Sequence, residues 1–108
     1  MLRIYPVILD WIGDVQSSIE LIASVDVDLA RQLRRASKSV ALNTAEGMAA
    51  CGKSKTHCYR IALREMRECL AALEIAVRLR YMPALAPAVA DTQDRIVGTL
   101  VKLAGFGR

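Results

Sequence analysis

The chain has 108 residues, 54% of them hydrophobic, 24% charged and 5% aromatic, with a formal net charge of +4. Such a length suits one domain, residues 1–108, with a modest core dominated by aliphatic side chains. No run of about 18 uncharged apolar residues is present to span a bilayer.

Apolar periodicity divides the chain into four helical segments. The first, residues 4–23, carries Ile4, Ile8, Trp11, Val15, Ile19 and Ile22 at steps of three or four. The start, Met1-Leu2-Arg3-Ile4-Tyr5-Pro6, lacks a basic segment followed by an unbroken apolar run. No signal peptide is therefore expected. The second segment, 27–50, carries Leu29, Leu33, Ala36, Val40, Asn43 or Thr44, and Gly47. Asp26 or Asp28 suits its N-cap, because a short acidic side chain satisfies free N–H groups of the first turn. The third, 55–81, carries Tyr59, Leu63, Met66, Leu70, Leu73 and Val77, with Ser54 or Thr56 as its cap. The fourth, 84–104, carries Leu85, Val89, Thr92, Ile96, Leu100 and Leu103. Pro83 suits its start, and Gly105 and Gly107 close the chain. The links near Val25-Asp26, Cys51-Gly52-Lys53-Ser54 and Met82-Pro83 are short. Short links between long helices predict an all-α, antiparallel, up-down-up-down four-helix bundle.

An isolated bundle needs one apolar stripe per helix, yet the third segment has two. Ile61, Glu68, Ala72, Ile75 and Leu79 lie about 180° from the first stripe at about 100° per residue. In the second segment, Leu42, Ala45 and Ala49 lie behind Val40, Thr44 and Gly47. Contiguous apolar patches of this kind mark partner surfaces, so Leu42, Ala45, Ile61, Glu68, Ala72, Ile75 and Leu79 are the expected interface of a homo-oligomer. The competing reading is scattered surface apolar residues, which are common in soluble proteins.

Charge is unevenly distributed. Residues 1–25 carry Arg3 against Asp10, Asp14 and Glu20, whereas residues 26–60 carry seven basic and three acidic groups. Arg31, Arg34, Arg35 and Lys38 share one helix face at i, i+3, i+4 and i+7, and Lys53 and Lys55 follow at the next turn. These six residues are the candidate phosphate-contacting surface for RNA or DNA. The competing reading is a solvated face, or arginines paired with Glu46, Glu65, Glu68 or Glu74. No aromatic residue interleaves with the basic cluster, so any binding would be backbone-directed, with little sequence preference.

Other chemistry finds little support. Cys51, Cys58 and Cys69 lack the pattern of a disulfide framework and fit a reducing, cytoplasmic location. His57 with Cys51 and Cys58 matches no zinc spacing. No Gly-rich phosphate loop, Glu-x-x-His pair or nucleophile–histidine arrangement occurs, so neither a cofactor nor an enzymatic role is expected. The best enzymatic alternative is an anion-binding cavity lined by Arg64-Glu65-Met66-Arg67-Glu68 in a small helical mutase.

Gln32-Leu33-Arg34-Arg35-Ala36, Ser39, Asn43 and Ala45-Glu46-Gly47, followed by Tyr59-Arg60-Ile61-Ala62-Leu63 and Glu68-Cys69, resemble two motifs of a bacterial family of four-helix-bundle proteins. Members were first noticed as reading frames inside intervening sequences of large-subunit ribosomal RNA genes. The resemblance implies a homopentameric barrel. An accessory protein of diversity-generating retroelements, related to that family, is similarly a basic pentamer that binds nucleic acid and a reverse transcriptase. The resemblance carries no catalytic residues. Arg34, Arg35, Asn43, Glu46 and Glu68 are the matched polar positions, and Arg64-Glu65 departs from the Gly-Ser that the motif often has. Together these features predict a non-enzymatic oligomeric adaptor for a nucleic-acid backbone, or a protein-interaction scaffold with no nucleic-acid role.

Overall fold

Asp26 opens the second helix by the mechanism its position predicts: its extended backbone lets the carboxylate accept the Leu29 N–H at 3.0 Å. In the computed structural model, which describes residues 2–106, the elements are α1 (Ile4–Ala23), α2 (Val27–Ala49), α3 (Gly52–Arg78) and α4 (Pro87–Leu103). No strand occurs among the described residues; Met1, Gly107 and Arg108 lie outside them.

The helices pack in a cycle, α1 on α2, α2 on α3, α3 on α4 and α4 back on α1. The predicted α1 stripe is the buried one, with Ile4, Ile8, Trp11, Val15, Ile19 and Ile22 all in the core. Each such aliphatic side chain contributes about 1.5–3 kcal/mol on burial. The α1–α4 side is pinned by a buried polar contact, in which Trp11 Nε1 donates to Gln93 Oε1 at 3.0 Å. Indole N–H groups need an acceptor when buried, and Gln93 supplies it.

Between α2 and α3, Gly47 lies under the Tyr59 ring. A Cβ built at Gly47 would fall 2.5 Å from Tyr59 Cε1, so only glycine permits this approach. Farther along, Arg35 reaches Glu65 and Glu68. These pairs run in opposite directions along the two helices.

Three sequence expectations shift. The α3 helix begins at Gly52, after an extended Cys51, and neither Ser54 nor Thr56 caps it. Gly52 takes φ +61, which allows the two-residue turn from α2. The α4 helix begins at Pro87 instead of Pro83, because α3 ends in a left-handed reversal. There Arg80 adopts φ 63, while the N–H groups of Arg80 and Tyr81 donate to Val77 O and Ala76 O. This is a Schellman closure. The residues that follow run without helix to Pro87, whose fixed φ suits the first helical turn. Third, the buried α4 residues are Gln93, Ile96 and Leu100, whereas Leu85, Val89, Thr92 and Leu103 are only half-buried.

Candidate nucleic-acid interface

The solvent-facing side of α2 follows from its core side. Leu29, Leu33, Ala36 and Val40 point inward, so residues about half a turn away face out. Arg31, Arg34, Arg35 and Lys38 fall there, together with Ser39, Leu42, Asn43 and Glu46 along one shallow groove. All of the groove's lining comes from this helix. Asn43 Nδ2 donates to both Ser39 O and Ser39 Oγ at 3.0 Å, which holds the amide against its own helix.

The four cations are not equivalent. Arg35 is committed to α3: Nη1 sits 3.4 Å from Glu65 Oε2, and Nη2 donates to Glu68 Oε2. The Glu65 side chain is only 13% exposed. Burial, then the Glu68 carboxylate, push its pKa above the ordinary 4.5, against the pull of Arg35 and Arg64. Arg31 pairs with Asp28 at 3.3 Å, but both side chains are mostly exposed, so this pair holds little energy against solvent screening. Arg34 and Lys38 have no carboxylate partner among the described residues.

The turn into α3 adds a second, smaller cluster. Lys53 is exposed and shares a shallow surface with Thr56, His57 and Arg60. Lys55 Nζ lies 5.6 Å from the Tyr59 ring centroid, over its face. Arg60 is engaged with the end of α4 instead. Its Nε donates to Ala104 O at 3.0 Å, and its guanidinium stacks 4.9 Å from the Phe106 centroid. A cation on the last free carbonyls of a helix complements its negative end, so Arg60 closes α4 and is not a free phosphate ligand.

The candidate interface residues separate in the same way. Leu42, Ile75 and Leu79 are about half exposed or more, at 64%, 47% and 54%. Ala45 and Ile61 are half-buried. Glu68 is tied to Arg35. Ala72 departs from the expected line, because it is buried in the chain's own core beside Ala76, Leu73 and Cys69. The buried arc of α3 is rotated toward the second line: Ala62, Cys69 and Ala76 are buried, while Leu70 and Val77 are only half-buried. An arc wide enough to touch both α2 and α4 takes in Ala72.

No group of three or more His, Cys, Asp or Glu is placed to hold a metal among the described residues. Cys69 is fully buried, and burial pushes its thiol up to about 12. No helix of the described residues is long and apolar enough to cross a membrane.

The motif residues thus pair across α2 and α3: Gly47 with Tyr59, and Arg35 with Glu68. No curated protein matches the chain. Among solved structures it is similar to a protein of unknown function from the S23 ribosomal protein family of Bacteroides thetaiotaomicron. The TM-score is 0.79 at 16% identity, over 94% of this chain and 98% of the other; this likeness establishes the fold. The family model described as 23S rRNA-intervening sequence protein matches residues 14–96. With that match spanning all of α2 and α3 and parts of α1 and α4, the chain belongs to the 23S rRNA-intervening sequence protein family.

Proposed function

We propose that the chain is the subunit of a non-enzymatic homo-oligomer that binds the sugar-phosphate backbone of RNA or DNA along the outer face of α2. The observation that carries this reading is the division among the cations. Arg35 is neutralised by α3, whereas half-buried Arg34 and exposed Lys38 have no carboxylate partner among the described residues, and Arg31 has only an exposed local one. Charges held this way keep their interaction energy for an external anion. The family's description, which refers to an intervening sequence of 23S rRNA, is compatible with an RNA context. Backbone contacts of this type orient a nucleic acid without reading its bases.

Self-assembly is the second half of the proposal. Leu42, Ile75 and Leu79 remain exposed on α2 and α3, and a second copy would remove them from water. An up-down-up-down protomer in a ring of five, as the resemblance implies, would repeat the basic face around the assembly. Such repetition raises avidity without any new contact.

The test combines light scattering with binding of labelled mixed-sequence RNA and DNA across a salt series. Affinity should fall steeply with salt, and Arg34→Ala with Lys38→Ala should weaken binding while the melting curve stays unchanged. The slope of log K against log salt should flatten by roughly 0.7–0.9 for each lost phosphate contact. Unchanged affinity and slope would remove the α2 face from the proposal.

A protein-interaction scaffold is the second reading, favoured by one observation: the Arg35–Glu65–Glu68 cluster shows basic residues used for architecture. On that reading an oligomer forms, and nucleic acid does not bind even at low salt.

A further inference from the structure

Between α3 and α4 lies an open groove of about 430 Å³, within the size range of small-molecule sites. It exists because α4 starts late, so the non-helical residues before Pro87 lie along the side of α3. Its walls are apolar, formed by Leu73 and Val77 of α3, Leu85 of the link and Ala90 of α4. Gln93, only 6% exposed, also lines it.

The orientation of Gln93 is fixed by its neighbour. An indole nitrogen can only donate, so Gln93 must present Oε1 to Trp11, as observed. Its Nε2 amide, with two N–H donors, is thereby turned elsewhere, and no acceptor for it occurs among the described residues. No fully buried side-chain polar atom is left without a partner among the described residues, so this amide is open to the groove it lines, where an acceptor can reach it. The rim adds a second requirement. Glu74 and Asp94 stand on opposite walls without an ion-pair partner among the described residues, with Arg78 one turn on from Glu74. The rim therefore carries a net negative charge.

We propose that this groove is a binding site for a small organic cation with an apolar body and an acceptor oxygen. The oxygen accepts from Gln93 Nε2, the apolar body lies against Leu73, Val77 and Leu85, and the ammonium group sits between Glu74 and Asp94. A free-amine dipeptide amide such as phenylalanyl-leucinamide has all three features. The site is on the α3–α4 side and is independent of the basic α2 face, so it stands or falls apart from nucleic-acid binding.

The chain's one tryptophan is hydrogen-bonded to the proposed ligand-binding amide and supplies the readout. Phenylalanyl-leucinamide should change Trp11 emission saturably. Its N-acetyl form, which lacks the charge, should bind about tenfold more weakly, as expected from about threefold for each rim carboxylate. The exposed pair Glu74→Gln and Asp94→Asn should reproduce that loss without altering the melting curve. Ala90→Leu, which fills the groove, should abolish the emission change. No saturable change up to about 10 mM, above the millimolar range of weak ligands, would overturn the site. Equal binding of the acetylated probe, or full affinity in the rim variant, would overturn the charge assignment and with it the proposed ligand class.

Discussion

Gly47→Ala isolates the closest packing between α2 and α3. An added methyl would lie 2.5 Å from Tyr59 Cε1 and 2.8 Å from Cδ1 and Cζ, inside any tolerable carbon–carbon separation. The obstacle is a rigid ring only 2% exposed, so it has no free end to swing aside. Overpacking of this kind costs about 1–3 kcal/mol. The gain in helix propensity from glycine to alanine offsets about 0.8–1 kcal/mol. The net loss is therefore up to about 2 kcal/mol, with a fall in Tm of about 4–8 °C for each kcal/mol lost in a chain of this size. Gly13 and Gly98 provide internal controls, since both are helical, exposed and free of any atom within 4 Å. Alanine there should stabilise by about 0.5–1 kcal/mol. Thermal and urea melts followed by circular dichroism, at one protein concentration, read all three. In a Tyr59→Ala background, Gly47→Ala should change sign and become stabilising, because the obstructing ring is gone. If Gly47→Ala stabilises the parent protein as the control substitutions do, the ring does not lie on Gly47 and the close-approach argument fails.

Three further outcomes follow from the geometry. Arg80→Gly should stabilise the chain by about 1 kcal/mol in a urea melt, because Arg80 holds φ 63, where a side chain is strained and glycine is not. Glu65→Gln should gain stability relative to the parent between pH 4 and pH 7. The folded-state pKa of Glu65 is raised above 4.5 by burial and by Glu68, so its ionised form is disfavoured in the folded protein. That cost is absent below the unfolded value and grows as pH rises through the folded one; a flat difference between the two melts across this range would refute it. Thiol titration at pH 8 should modify exposed Cys51 first, and Cys69 only after denaturant is added. Cys69 is buried with its thiol raised to about 12, so thiolate there is scarce.

Local rules made much of this fold legible. The α1 stripe and the Asp26 cap depend on residues within one or two turns, and both are found where periodicity and capping chemistry place them. What escaped the sequence is set by distant partners. Pro83 and Pro87 are both acceptable first-turn residues; the choice is made by the left-handed Arg80 and the closure onto Ala76 and Val77. Gln93 reads as a surface residue until Trp11, 82 positions away, requires an acceptor. On the candidate site, spacing alone put Arg31, Arg34, Arg35 and Lys38 on one face, and the structure gathers them along one groove. Spacing could not tell that Arg35, nearest to α3, is claimed by Glu65 and Glu68. Nor could it show that α3 buries an arc wide enough to enclose Ala72. The signal for Arg60 as an α4 closure was absent from its own helix, because its partner carbonyl belongs to Ala104.

The Trp11–Gln93 bond also ties together the two most distant helices in the sequence, which bears on how the chain folds. The α2–α3 hairpin is joined by a two-residue turn, so its pairing closes a small loop. The α1–α4 contact closes a loop of 82 residues, and loop-closure entropy rises with length. Helix content should therefore build before the first and last helices meet. Refolding followed by far-ultraviolet ellipticity should run ahead of the tryptophan signal, with the gap between them marking the time needed to shut the four-helix cycle.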